Sequence, residues 1–580
     1  MTNKVVKILK NRWLFFGAVS MSVCLFFYQY LATGDKLIEG DFDYYAQVYE
    51  AFRISVLEYG QFPSWNPWMV GGLPLYANPQ FGLFSIQSVL VLIFGTLYGL
   101  KLAYVMYALS GFWGMYLLGR QAVKASRLRA CLIGFIWIAC GFFAGHGIMH
   151  FTFALFFLLP LLILLIYRRR EKWSWLWFGL LETLILLSSV HYAFLMTSLV
   201  AAVFLCLSFF EISLRKTFLH LRVSREDMLF ILKTFLVVLI LAGPRLLSTL
   251  IFVSNNERIV EGGELYPRIT DLFSALFLPI ASYLPVPTPL QWGWWEYSMY
   301  IGMGAALAFF LCIIVSTGKL WRKSHERLLD NGGFVISIII IGVLGVFIAL
   351  GDFGTFSPYN LLHHIPGFTQ TRVPSRWLLL TAFAILVFLM AWKRNPKLIN
   401  TLLILSVVEL FFLFGPIRRN GADQIIFSPP SYSHTFTQYD NQHQHLDMTT
   451  NINHSYYYST RKNVGQIYAD DSLVNTLNNV YGSAKCGINT NKKCDFVLSH
   501  NATIEYWSPN VIILQRQSPG SIELNMNPQA DWIVNNQYVF ANQKRVDPGV
   551  RFLIPDDKQQ TYRLEYAPRF SPKWIQLKYF

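Results

Sequence analysis

Two carboxylates stand two residues apart just beyond the first apolar run, in Gly40-Asp41-Phe42-Asp43-Tyr44-Tyr45. A carboxylate there can take a proton from an attacking hydroxyl or ligate a divalent cation. It can equally do no more than cap the helix that follows. Neither aspartate has Glu or Gln three residues on, so neither forms a capping box. Further along lie Gly60-Gln61-Phe62-Pro63-Ser64-Trp65-Asn66-Pro67-Trp68 and Gly71-Gly72-Leu73-Pro74-Leu75-Tyr76-Ala77-Asn78-Pro79-Gln80. Backbone so rich in Gly, Pro, Asn and Trp is stiff and irregular. At membrane depth such backbone survives only when buried in protein or lining a wet cavity. Trp65, Asn66, Asn78 and Gln80 are the side chains of this stretch suited to binding a polar substrate.

Other candidates carry positive charge. Arg372 and Arg376 flank Val-Pro-Ser before an apolar run. A guanidinium fork matches phosphate; the alternatives are a headgroup anchor or a pair with Asp352. His146 and His150 are spaced i, i+4 and would share one helix face, able to bind metal or phosphate or simply to hydrogen-bond in a turn. Arg245 follows Pro244 inside an apolar run, where a charge is costly and points to function unless it snorkels or pairs. Arg258, among Glu257, Glu261 and Glu264, could bind an acceptor or belong to a solvated loop. Cys486 and Cys494 would form a disulfide if their segment lies outside the cytoplasm. Two cysteines alone do not complete a zinc site. There is no P-loop and no dinucleotide fingerprint, so nucleotide-driven chemistry gets no support.

The elements that must position these residues are membrane helices. Of 580 residues, 54% are hydrophobic and 14% charged, against about 25% charged in an ordinary soluble domain. The net charge of +15 comes in short Lys/Arg clusters between apolar runs, the pattern of orientation signals rather than of a nucleic-acid surface. The pattern predicts a multi-pass α-helical membrane protein with roughly eleven transmembrane helices over 1–417. Lys4, Lys7, Lys10 and Arg12 place the N-terminus in the cytoplasm, before a retained first helix over 13–32. A long first outer loop, 33–99, follows. Helices 3 and 4 are expected at 130–145 and 151–167, helix 7 at 229–253, helix 10 at 376–392 and helix 11 at 398–416. From 418 to 580 the texture turns to Asn, Gln, Ser and Tyr with short alternating runs and Pro-Gly turns, which predicts a soluble, extracytoplasmic, mainly-β domain.

The first loop resembles the YfhO family of bacterial membrane proteins, within the GT-C superfamily of polyprenyl-phosphate-dependent glycosyltransferases. The match runs through Gly40-Asp41, Gly60 to Pro67 and Gly71 to Gln80, and more weakly through His146–His150, Pro244–Arg258, Arg372–Arg376, Pro519-Gly520 and Trp532. Members often carry a further C-terminal membrane helix, and none follows the β-rich part here. The resemblance implies a GT-C-like fold in a bacterial inner membrane. It implies inverting transfer of a sugar from a polyprenyl-phosphate donor to a cell-surface glycan, lipid or protein on the outer face. Asp41, and second Asp43, would serve as base or as ligand of a divalent cation, Mg or Mn. The competing reading is a non-catalytic lipid or glycan transporter, or an assembly partner that presents a substrate.

Overall fold

A computed structural model of the chain describes residues 12–38, 41–69, 71–149, 151–189, 192–212, 219–221, 224–255, 266–279, 294–321, 331–365, 367–368, 371, 373–423, 432, 435–439, 455–466, 493–494, 496–527, 531–538 and 552–568. Five described helices are long and apolar enough to cross a membrane: Thr96–Gln121, Arg225–Val253, Gly332–Ala349, Pro374–Ala391 and Pro396–Phe414. Five shorter apolar helices accompany them, at Trp13–Phe26, Phe151–Tyr167, Ser174–Ser188, Ala193–Leu207 and Met303–Thr317. The chain is a multi-pass helical membrane protein with a C-terminal β unit.

In chain order, the helices that matter to the site are α1 (Arg12–Phe26), α2 (Asp41–Leu57), α3 (Ile86–Phe94), α4 (Thr96–Gln121), α5 (Arg127–Ala139), α6 (Gly141–Met149), α7 (Leu159–Tyr167), α8 (Ser174–Ser188), α9 (Tyr192–Phe209), α10 (Arg225–Asn255), α11 (Ile269–Phe277), α12 (Trp294–Tyr297), α13 (Met303–Trp321), α14 (Gly332–Ala349), α15 (Pro358–His363), α16 (Leu379–Ala391), α17 (Pro396–Asp423) and α18 (Tyr456–Arg461). Four of these helices start on a capping serine, Ser224 opening α10 and Ser455 opening α18 among them. Ser85 accepts from Ser88 N at 3.2 Å to open α3, and Ser126 accepts from Arg129 N at 3.3 Å to open α5.

The third expected helix, 130–145, is broken in two. Cys140 is extended (φ −61°, ψ 162°), and the Gly141 N–H leaves the helical ladder to donate to Tyr300 O at 2.9 Å. Glycine is required there, because a Cβ on Gly141 would lie 2.3 Å from Ser298 Oγ. The fourth, 151–167, begins as a 3₁₀ stretch over Phe151–Leu158 before turning α-helical at Leu159. A short strand pair, β3 (Phe210–Ile212) with β4 (Leu219–Leu221), follows α9.

The first loop holds a two-residue ribbon, β1 (Trp65–Asn66) with β2 (Leu73–Pro74). The C-terminal β unit includes the parallel pair β5 (Thr437–Tyr439) and β6 (Val464–Gln466), with β7 (Lys493–Cys494) antiparallel to β5. Beyond these come β8 (Ala502–Trp507), β9 (Val511–Arg516), β10 (Ile522–Leu524), β11 (Trp532–Val534), β12 (Gln537–Tyr538), β13 (Phe552–Ile554) and β14 (Thr561–Tyr566). Five of them form an antiparallel sheet in the order β12-β11-β14-β9-β8, and β10 pairs with β13. The alternating runs found in the sequence fall on β9, β10, β13 and β14, with Leu514, Ile522, Phe552, Tyr562 and Leu564 buried. That core has a guest from far away in sequence. Trp65 packs inside it, edge-on to Trp532 at 5.3 Å and tilted against Tyr566 at 4.7 Å.

Candidate functional site

The approach to Asp41 is set by Lys101, buried at the start of α4. Its ammonium donates to Thr33 Oγ1 (2.8 Å), Gly34 O (3.1 Å) and Lys36 O (2.8 Å), tying down the chain that leaves the first helix. Asp41 then opens α2 in a half-buried position, and α2 packs against α6 and the 3₁₀ stretch that follows it. Asp43 is fully buried. Its carboxylate accepts from Ser455 Oγ (2.6 Å), Tyr456 N (2.7 Å) and Tyr457 N (3.1 Å), so it grips the start of α18. Asp43, Gln47 and Glu50, polar residues of this helix, are all covered by protein. Glu50 accepts from Arg461 at 3.0 Å, from Arg53 at 3.2 Å, and from the Thr96 hydroxyl.

Trp65 and Asn66 serve the packing of the loop. Trp65 lies in the β-unit core, and its N–H donates to Asn510 Oδ1 at 3.0 Å. The Asn66 amide is paired with Gln47 in both directions at 3.1 Å, and its oxygen also accepts from Trp68 N at 3.2 Å. Asn78 Oδ1 closes a local turn by accepting from Gln80 N at 2.9 Å.

The turn 78–81 wraps around Arg245. That guanidinium is 2% exposed at its place in α10. Nη2 donates to Asn78 O (2.7 Å) and Phe81 O (2.5 Å), and the cation lies over the Tyr76 ring at 5.5 Å and the Phe81 ring at 6.0 Å. Arg245 Nε and Nη1 have no hydrogen-bond partner among the described residues, and neither do Thr249 Oγ1 or Gln80 Oε1. Thr249 is one turn beyond Arg245 on the same face of α10. Two unengaged N–H groups and a hydroxyl thus lie on the face of α10 whose guanidinium holds the 78–81 turn. The neighbouring Gly82 N donates to Tyr49 Oη at 3.2 Å. Tyr49 lies two turns along α2 from Asp41, about 12 Å at the usual rise.

A second buried charge cluster contains a residue the sequence reading passed over. Glu296, in α12, binds both Arg376 and His146. Arg376 is engaged through Nη2, and through Nε at 3.2 Å, and its guanidinium covers the Phe153 ring at 4.6 Å. His146 stacks on Phe142 at 4.7 Å. Burial alone would raise the Glu296 carboxyl, but the Arg376 guanidinium and the hydrogen bonds from Arg376 and His146 outweigh it and hold the group well below the usual carboxylate range. Arg376 thus pairs with Glu296, while Asp352 accepts from Asn360 and Gly354 N in its own loop. The one available signal for Glu296 was a lone acid in Trp294-Trp295-Glu296-Tyr297 just before an apolar run.

The structure therefore brings together His146 with Arg376 through Glu296, and Asn78 with Arg245, Gln80 lying in the same turn. It carries Trp65 and Asp43 into contacts with the C-terminal part, and sets Asn66 against Gln47 and Trp68. Arg372, His150, Arg258 and Cys486 lie outside the described residues, as does the side chain of Cys494. Among the described residues no three His, Cys, Asp or Glu side chains gather as a metal site would require. Asp43 is engaged by α18 rather than by a cation.

No family model matches the chain, and no curated protein matches it. Among solved structures it is similar to ArnT from Cupriavidus metallidurans bound to undecaprenyl phosphate, at 12% identity and a TM-score of 0.45, covering 80% of this chain and 86% of that one. It is also similar to the arabinofuranosyltransferase AftD from Mycobacteria, at 11% identity and a TM-score of 0.40. That likeness covers 70% of this chain, which spans 27% of the AftD chain.

Proposed function

We propose that this chain is a GT-C-type membrane glycosyltransferase that moves a sugar from a polyprenyl-phosphate donor to a cell-surface glycan, lipid or protein. The reaction takes place at the outer face of a bacterial inner membrane. The observation that supports this reading best is Arg245. A buried guanidinium with two unengaged N–H groups, in a membrane helix and beneath a loop bearing a carboxylate, suits the phosphate of a lipid-linked donor. Thr249 and the 76–81 turn would shape that end of the site. Asp41 is the proposed base. It takes the proton of the acceptor hydroxyl as that oxygen attacks the anomeric carbon, and the carbon–oxygen bond to phosphate breaks with inversion. Polyprenyl phosphate leaves, and Arg245 stabilises the charge that develops on it. Arg376 and His146, held by Glu296, would frame the same end of the helix bundle rather than hold the phosphate.

The alternative, a transporter or assembly partner with no turnover, is favoured by one observation. Asp43 and the motif residues Trp65 and Asn66 are spent on packing. Lipid and surface-glycan mass spectrometry separates the two readings, using cells that carry wild-type protein, Asp41→Asn protein or none. The transferase reading expects a glycosylated product to vanish and its polyprenyl-phosphate donor to accumulate in both deficient strains. A normal product in Asp41→Asn cells, alongside a phenotype in the deletion, would overturn it.

A further inference from the structure

We infer that the segment around α18 is a fixed wall of the first-loop site, and that Asp43, Gln47 and Glu50 are positioning residues holding Asp41 through it. The inference rests on the reading of Asp41 given above. The three residues fall at i, i+4 and i+7 of α2 and make one stripe. Each is met by a partner from beyond residue 450. Asp43 takes Ser455, Tyr456 N and Tyr457 N, Gln47 Nε2 donates to Thr460 Oγ1 at 3.1 Å, and Glu50 pairs with Arg461. The rungs advance in the same direction along both segments, so the two helices share one register. Below them Trp68 Nε1 donates to Asn463 Oδ1 at 2.8 Å.

Two features make this a wall and not a lid. Tyr456, Tyr457 and Tyr458 are each at most 4% exposed, and Tyr457 and Tyr458 belong to the hydrophobic core of the membrane helices, not to that of the β sheet. Lifting α18 would uncover those rings and strip a buried aspartate of every hydrogen bond named above, an expensive opening. Asp41 sits half a turn before Asp43 on the same helix. Whatever sets the rotation and height of that first turn therefore sets the Asp41 carboxylate.

The test uses the full-length protein in its membrane. In the pair Gln47→Cys/Thr460→Cys, a reversible cross-link across the stripe, made with a short bifunctional methanethiosulfonate that spans the length of the lost Gln47 side chain, should leave turnover of a polyprenyl-phosphate-linked sugar as it is in the reduced pair. Loss of turnover on locking, with recovery on reduction, would make α18 a moving lid and overturn the inference. Arg461→Gln should lower kcat roughly tenfold with KM for the donor unchanged, since a displaced base costs rate more than binding. Arg461→Lys should recover most of it. Hydrogen exchange of amides 41–50 should quicken in Arg461→Gln and return in Arg461→Lys, and this readout needs no activity. Unchanged exchange in Arg461→Gln, or full kcat in a variant whose exchange has quickened, would also overturn the wall. If wild-type protein turns over no donor, the transferase reading fails on its own, and cross-link yield and exchange still decide whether α18 fixes the first turn of α2.

Discussion

Asp41 and Asp43 look alike as residue types, and the structure separates them. Asp43 is fully buried and accepts two backbone N–H groups and a hydroxyl, whereas Asp41 is half-buried at the helix start. Asp41→Asn should abolish transfer with a smaller fall in thermal midpoint than Asp43→Asn gives. Asp43→Asn should lower the midpoint, because hydrogen bonds to a charged acceptor are worth about 1.5–3 kcal/mol. Scanning fluorimetry beside a donor-turnover assay checks both, and equal melting of the two variants would contradict the division of roles. Glu296 makes a sharper case. Glu296→Gln leaves the Arg376 guanidinium buried without its countercharge, a loss of about 3–5 kcal/mol. The sign of the pH effect follows from the depressed carboxyl. Its folded affinity for a proton is lower than in the unfolded chain, so its contribution to stability is complete above the ordinary Glu value of about 4.3 and erodes as pH falls below it. The acid limb of a thermal-midpoint profile should flatten in Glu296→Gln. A limb as steep as wild type would show that the pair adds little.

At the scale of elements, the Gly-Gly and Trp-Asn-Pro motifs of the first loop are seats for other parts of the chain. Gly72 has φ +102°, and a Cβ there would lie 2.3 Å from the Trp65 indole. Gly72→Ala should cost at least about 1–3 kcal/mol in backbone strain, with the blocked indole contact added to it. Trp65→Ala should cost about 3–5 kcal/mol by emptying the core of the β sheet. Limited proteolysis is the measure: both variants should be cut more quickly within 496–527 than wild type, while the membrane helices stay intact. The strands themselves were legible, because alternating apolar residues with Pro-Gly and Asp-Asp turns leave few other options. The break at Cys140 was not, because it depends on a hydrogen bond from Gly141 to Tyr300, some 160 residues away.

At the scale of the whole molecule, the clusters of Lys and Arg between helices predict that residues 33–99 and the C-terminal unit share the non-cytoplasmic side. The Asp43–Ser455 and Glu50–Arg461 contacts require that these two parts lie on one side of the membrane. Single cysteines introduced at the exposed positions Glu58 and Glu505 should both react with a membrane-impermeant maleimide in intact spheroplasts; labelling only after lysis would reverse the orientation. The sequence by itself determined that the chain is a membrane protein, roughly where its apolar helices lie, and that a β-rich part follows them. Those traits are written in runs and periods of neighbouring residues, which is all that local propensity and hydropathy can read. Which polar side chains are engaged and which remain available was decided by tertiary structure alone. Asp43 with Ser455, Trp65 with Trp532, Glu296 with Arg376 and Arg245 with the carbonyls of Asn78 and Phe81 join residues 80 to 467 positions apart. The cost of burying a polar group is settled only by the partner that the fold delivers.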